Sequence, residues 1–351
     1  MWYDRFFKKF TCDVGIDLGT SSTLMYIKGE GIVLVEPSIV AINQKTGRVV
    51  AVGNDASEMI GRTPAHIQAI KPLENGVISN FEVGEEMIAY FLKKAMSLSG
   101  KKHFRPRVVV SVPSDITNVE RRAVRDAVIN AGAREVYIVE SPMAAAIGIS
   151  MPVYDPVGNM VIDIGGGTTD IAVVSLGGVV RSKNLHIAGE KLNQDIINYI
   201  RDEFKILLGE KTAEEVKVSI GAVVKQSLPG EALVRGRDLV TGLPREVAVT
   251  DSDIREAIFN SMVLFVDAVK EVLESTPPEV VSDIMRRGII LVGGGSQIQG
   301  LAEMLEKEVE IPVHLAEDPG TSVVRGTGVI LDDLNKYSEI LIDNEDDLPP
   351  R

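Results

Sequence analysis

Asp17-Leu-Gly-Thr-Ser-Ser-Thr23 and Asp163-Ile-Gly-Gly-Gly-Thr-Thr-Asp170 decide the reading of this chain. In each, an acid closes a strand-like apolar run, the backbone turns through glycine, and hydroxyl residues lead into a second apolar run. Around the first, strand-like runs cover 13–17, 23–27 and 32–35, broken at Lys28-Gly-Glu-Gly31 as in a meander. Around the second, 160–163 and 171–175 repeat that order and end at a Gly177-Gly178 turn. Asp17 and Asp163 lie 146 positions apart, and strand, acid, glycine, threonine and hairpin recur together. The expected architecture is a duplicated α/β unit whose two turns face each other across a cleft.

Further out, residues 83–97 read as a helix, with Met87, Ile88, Phe91, Leu92 and Ala95 at helical spacing. A β-branched run at 107–112 stops at Pro113, and 118–131 is helical again. The long helical stretch 252–275 precedes a strand at 288–292, which runs into Gly293-Gly-Gly295. Residues 207–212 read as a surface loop and 240–250 as a mixed strand. The tail 343–347, four acids in five residues, reads as solvated and disordered.

Thirty-seven basic against fifty acidic residues leave a net charge of −13. That balance argues against a nucleic-acid partner, because phosphate binding draws on clustered Lys and Arg. Cys12 is the single cysteine, which excludes an internal disulfide framework and fits a reducing, cytoplasmic compartment. No run of about 18 apolar residues occurs, so a spanning helix is not expected. His66, His186 and His314 stand singly, without a partner at metal-ligand spacing.

The paired turns suit a polyphosphate. Glycine lets backbone N–H groups approach phosphate oxygens closely, and hydroxyls add uncharged donors. Asp17 and Asp163 would then face dense negative charge, which calls for a divalent cation between them, Mg²⁺ being the natural choice near phosphates. Neither turn is a Walker A loop.

These turns resemble the phosphate hairpins of the actin, sugar-kinase and heat-shock ATPase superfamily. Within it, the chain resembles the MreB/Mbl family of bacterial actin-like proteins over roughly residues 11–332. The stretches that carry the likeness are Gly15-Ile-Asp-Leu-Gly-Thr20, Gly29-Glu-Gly-Ile-Val33, Glu36-Pro-Ser38, Phe104-Arg-Pro-Arg-Val108, Pro142-Met-Ala-Ala-Ala-Ile-Gly148, Asp163-Ile-Gly-Gly-Gly-Thr-Thr169 and Gly293-Gly-Gly295.

The resemblance implies an actin-like duplicated ATPase fold, with two lobes, four subdomains and a central cleft for ATP. Lobe I would span 1–155, with an insertion near 43–75 and the C-terminal 326–351 returning to it. Lobe II would span 156–325, with an insertion near 192–255. It also implies homopolymeric filaments at the inner face of the cytoplasmic membrane, working with cell-wall morphogenesis proteins to maintain rod-like shape. The alternatives are a filament of another role, such as plasmid or organelle segregation, and a small-molecule kinase of the superfamily.

Matched residue by residue, Thr20, Ser21 and Ser22 lie on the first hairpin, and Gly165, Gly166, Gly167 and Thr168 on the second. Glu214, Glu215, Val216 and Lys217 belong to the helix over the adenosine, Gly294, Gly295 and Ser296 close the other side of the base, and Glu190 and Lys191 sit near the nucleotide. By residue types alone, Glu214 and Lys217 would pass for an ordinary solvated helix pair. The catalytic set falls on Glu140, Ser141 and Thr168.

Two positions depart from the family pattern. Ser22 replaces the usual Asn, and its hydroxyl can still donate. Ser141 replaces the glutamate expected before Pro142 to orient the attacking water, and a serine is a poor acceptor for that task. Glu140 would point the opposite way in an extended segment. Slow hydrolysis is expected.

Five of the seventeen aromatic residues crowd the first ten positions. On a helical wheel Trp2, Tyr3, Phe6, Phe7 and Phe10 share an arc of about 140°, opposite Asp4, Arg5, Lys8 and Lys9. That pattern fits an interfacial helix on anionic lipid, against the plainer reading of a helix docked on its own core. Phe104, flanked by Lys101, Lys102, His103, Arg105 and Arg107, is a second candidate membrane contact.

Overall fold

The computed structural model describes residues 12–100 and 105–342. The proposed membrane contacts Trp2, Tyr3, Phe6, Phe7, Phe10 and Phe104, and the acidic tail 343–347, lie outside the described residues.

Two five-stranded sheets carry the chain. In the first lobe, strands β1 (Asp13–Leu18), β2 (Ser22–Ile27) and β3 (Gly31–Pro37) form the antiparallel meander. A small sheet follows from β4 (Val40–Asn43), β5 (Arg48–Val52) and β6 (Ile67–Ile70), then the two-residue strands β7 (Leu73–Glu74) and β8 (Val77–Ile78). After the helix Phe81–Leu98, β9 (Arg107–Val112) pairs parallel to β1, and β10 (Glu135–Glu140) parallel to β9, giving the order β10-β9-β1-β2-β3.

The second lobe repeats this plan. Strands β11 (Asn159–Ile164), β12 (Thr169–Ser175) and β13 (Gly178–Leu185) form its meander. Its small sheet comprises β14 (Ile206–Leu207), β15 (Glu231–Asp238) and β16 (Pro244–Thr250). Finally β17 (Ile289–Val292) and β18 (Val313–Leu315) add in parallel, for the order β13-β12-β11-β17-β18.

Side-chain alternation along the strands divides the core into three parts. Val108, Val110 and Ile138 face one cluster with Met87 and Phe91 of the first lobe. Ile162, Ile171 and Val173 face a second with Ile196 and Phe265. The intervening residues Val109, Val139, Val161, Ala172 and Val292 point to a shared third cluster with the helices Ser141–Gly148 and Ser322–Asp332. That shared core joins the lobes.

These two helices interlock through glycine. A Cβ at Gly326 would stand 1.8 Å from the Ala144 carbonyl oxygen, and one at Gly148 would stand 1.9 Å from the Ser322 carbonyl oxygen. Each helix lies directly on the other's backbone.

Two segments differ from the sequence expectation. Residues 207–212 are not a loop: Ile206–Leu207 pairs with β15, and the helix Glu210–Ile220 begins immediately after Gly209. Gly209 marks a helix start, not a break. Within 240–250 the strand begins only at Pro244. Asp238 instead organises a turn, accepting hydrogen bonds from the backbone N–H groups of Val240 and Thr241 at 2.9 and 2.8 Å. These bonds and the Arg245 guanidinium hold its carboxyl down at about 2.

Candidate functional site

The two glycine turns meet in a cleft of about 850 Å³ between the lobes. The first turn is pinned from behind, where Ser38 Oγ donates to the Gly19 carbonyl at 2.6 Å and Ser38 N to the Ser21 carbonyl at 3.0 Å. The second turn closes on itself through Gly165 N to the Thr168 carbonyl at 2.9 Å. Its carbonyls are then capped by the start of the helix Gly189–Phe204, with Glu190 N donating to the Gly166 carbonyl at 2.8 Å. The turns approach so closely that a Cβ on Gly166 would lie 2.0 Å from Ser21 Oγ, and one on Gly167 would lie 2.4 Å from Thr20 Oγ1. Glycine at both positions is therefore required by the opposing hairpin.

Asp17 ends β1 beside Ser111 of β9, whose hydroxyl donates to Asp17 Oδ1 at 3.1 Å. Burial pushes the Asp17 carboxyl up to about 6, against the Ser111 hydrogen bond. Asp163 is raised well above the ordinary carboxylate range, first by burial and then by the negative charges of Asp17 and Asp170. Gly293 leaves room for this carboxylate, since a Cβ there would stand 2.4 Å from Asp163 Oδ1.

Among the described residues neither Asp17 nor Asp163 has a Lys or Arg ion-pair partner, and no cluster of three or more metal-ligating side chains forms. Two mutually repelling, cation-poor carboxylates beside paired glycine turns fit a divalent ion held largely through water, which needs few protein ligands.

Most residues expected at the site do line this cleft: Asp17, Thr20, Ser21, Ser22, Ser141, Asp163, Gly165, Gly166, Gly167, Thr168, Glu190, Glu214, Glu215, Lys217, Gly294 and Gly295. Glu214 and Lys217 form a half-buried pair, with the lysine buried and the glutamate side chain 50% exposed. Lys217 is only 7% exposed, and its Nζ donates to Glu214 Oε2 at 2.8 Å and to the Gly189 carbonyl at 2.9 Å. Burial pushes Glu214 up, but bonds from Lys217 and Asn193 outweigh it and leave the carboxyl below its ordinary value.

Four expected residues fall outside the lining. Lys191 pairs with Asp195 along its own helix, because successive helical positions point about 100° apart and Glu190 takes the cleft side. Val216 packs in the second-lobe core. Ser296 is buried, with its Oγ donating to the Gly293 carbonyl at 2.6 Å. Glu140 ends β10, while the adjacent Ser141 opens the next helix and faces the cleft.

Lys71 was not legible as a site residue. It follows β6 of the first lobe, yet its Nζ donates to Glu190 Oε1 at 2.7 Å and also pairs with Glu210, both of the second lobe. Burial alone would lower the Lys71 ammonium, but the two glutamates reverse this and raise it. The bridge spans 119 and 139 positions of sequence. Asp170, Asn193 and Gly189 also line the cleft. Asp170 closes the quoted second motif, and its recurrence one hairpin strand after Asp163 was the available signal.

Comparison with known proteins agrees with this geometry. The family model described as MreB/Mbl protein matches residues 11–339. The chain is 47% identical to the cell shape-determining protein Mbl of Bacillus subtilis, over 93% of this chain and 98% of that protein. It is 46% identical to the cell shape-determining protein MreB of Escherichia coli, over 97% and 99%. Among solved structures, MreB5 of Spiroplasma citri bound to ADP superposes with a TM-score of 0.89 at 36% identity, covering 94% of this chain and 98% of that one. A MamK double helical filament, at 22% identity, shares the fold with a TM-score of 0.78 over 92% and 99%. With its actin-like fold, its paired hairpins and a family match over almost its whole length, the chain belongs to the MreB/Mbl family.

Proposed function

We propose that this chain binds ATP with Mg²⁺ between its lobes and assembles into filaments on the inner face of the cytoplasmic membrane. There the filaments organise cell-wall synthesis with morphogenesis partners and maintain rod-like shape. The observation that carries the reading is the pair of glycine hairpins facing each other across one cleft, each following a partly buried strand-end carboxylate.

Asp17 and Asp163 would hold the Mg²⁺, which draws negative charge off the phosphates when bound. The backbone N–H groups of the two hairpins bind the phosphate chain, and Thr20, Ser21, Ser22 and Thr168 add hydroxyl donors. Lys217 and Glu214 stand at the adenosine end. Lys71 joins the first lobe to Glu190 and Glu210 of the second at the cleft, and a nucleotide that binds between the lobes would favour their closure and with it the filament contact. Negative-stain electron microscopy on anionic liposomes with ATP and Mg²⁺ tests the reading. Membrane-bound filaments are expected, with no phosphorylated product across a panel of sugars. Sugar phosphorylation without filaments would replace this function by a kinase.

Attachment rests on the sequence of residues 1–10, because a chain of overall net charge −13 is repelled by anionic lipid unless a local basic segment engages it. A chain beginning at Thr11 is expected to lose most of its co-sedimentation with anionic liposomes. Undiminished binding would remove the N-terminal anchor. Hydrolysis is expected to be slow, and Ser141→Glu to raise phosphate release from the polymer several-fold. A smaller gain would mean that position 141 does not limit the rate.

A further inference from the structure

Ser141 reaches the cleft, but its hydroxyl proton is committed to the Val112 carbonyl at 3.0 Å. The oxygen that remains is neutral, and neutral acceptors hold water about half as strongly as carboxylates. Position 141 therefore leaves the hydrolytic site short of an acceptor.

Asp170 is a carboxylate of the same cleft. Strands β11 and β12 are antiparallel, and Asp170 stands directly opposite Asp163. Residues opposite one another in such a pair project from the same face of the sheet. Both line the cleft, and Asp170 is only 3% exposed. Three donors converge on a single oxygen, Oδ1: Ser114 N at 3.1 Å, Ser114 Oγ at 2.8 Å and Asn184 Nδ2 at 3.0 Å. None of these bonds engages Oδ2. Ser114 follows β9 in the first lobe, whereas Asn184 belongs to β13 in the second. The carboxylate is thus held from both lobes at once, and its position relative to both hairpins depends on their being together.

We propose that Asp170 Oδ2 is the acceptor that orients the attacking water in this chain, an assignment that rests on the reading of the cleft as an ATP-hydrolysing site. The water oxygen forms a bond to the γ-phosphorus. The bond from that phosphorus to the β,γ-bridging oxygen breaks, its electron pair staying on ADP. The water proton directed at Asp170 ends on the released phosphate.

The test uses the full chain with Mg²⁺ and compares the parent with Asp170→Asn, Ser141→Glu and the double variant. Asp170→Asn is expected to slow phosphate release about 100-fold. Its affinity for a non-hydrolysable ATP analogue should stay within about twofold of the parent, while its affinity for ADP with aluminium fluoride, a transition-state mimic, falls at least about tenfold. Adding Ser141→Glu to Asp170→Asn is expected to restore release to near the Ser141→Glu level, which a misfolded protein could not show. Release by Asp170→Asn within about threefold of the parent, equal loss of affinity for both analogues, or failure of the double variant to recover overturns the assignment. A parent chain that binds no ATP, or binds it and releases no phosphate, overturns the hydrolytic reading itself.

Discussion

Gly326→Ala is expected to abolish stable folding, although alanine is the better helix former by about 1 kcal/mol. The helix Ser322–Asp332 crosses Ser141–Gly148 so closely that the new methyl group would lie 1.8 Å from the Ala144 carbonyl oxygen and 2.5 Å from its carbon. Backbone atoms cannot rotate aside as a side chain would, so the helices must separate. That separation would open the shared core of Val109, Val139, Ala145, Val161 and Ile330 on which both sheets lean. Overpacking against movable side chains costs about 1–3 kcal/mol. Against a fixed backbone the cost should exceed about 4 kcal/mol, much of the roughly 5–15 kcal/mol that holds a folded domain. Gly209→Ala is the control, because Gly209 has φ −85° and nothing within 4 Å of its would-be Cβ. Urea unfolding and soluble yield measure the difference. A Gly326→Ala protein within about 1 kcal/mol of the parent would show that the helix crossing is loose.

Glu140→Gln is expected to stabilise the nucleotide-free protein at pH 8 and to do little at pH 5. Burial pushes the Glu140 carboxyl up to about 7, the charge of Asp170 adds to this, and Arg121 opposes it. In the unfolded chain the same group titrates near 4.5. Between these values the folded protein keeps a proton that the unfolded chain has released, so raising the pH removes stability. The contribution is fully present below about 4.5 and is lost as the pH passes about 7. Allowing for partial solvent access, the loss between pH 5 and 8 is on the order of 2 kcal/mol, or about 5 °C in Tm. Glutamine keeps the shape without the ionisation, so the melting gap between variant and parent should widen with pH. A gap that is constant from pH 5 to 8 would show that Glu140 does not titrate in this window.

The hairpins were legible because each is written in consecutive residues. Acid, glycine and hydroxyl within seven or eight positions specify a tight turn and its donors without help from distant residues. Recurrence after 146 positions then implied two facing copies. The helix carrying Glu214 and Lys217 was found only by family resemblance, since nothing local distinguishes a lysine buried against a cleft from one on a solvated helix face. Residues 207–212 were misread because Gly209 breaks chain propensity equally well at a helix start and in a loop.

Sequence by itself determined the duplicated α/β plan and the two glycine hairpins that follow Asp17 and Asp163, because both are written in short-range pattern and residue type. The departure at Ser141 showed only against the family resemblance. Only the tertiary structure decided that Lys71 bridges to Glu190 and Glu210, that Gly148 and Gly326 interlock, and that Ser114 holds Asp170 across the lobes. In each case the partners are 56 to 178 residues apart in sequence, and the energy lies in burial and contact that only the folded chain creates.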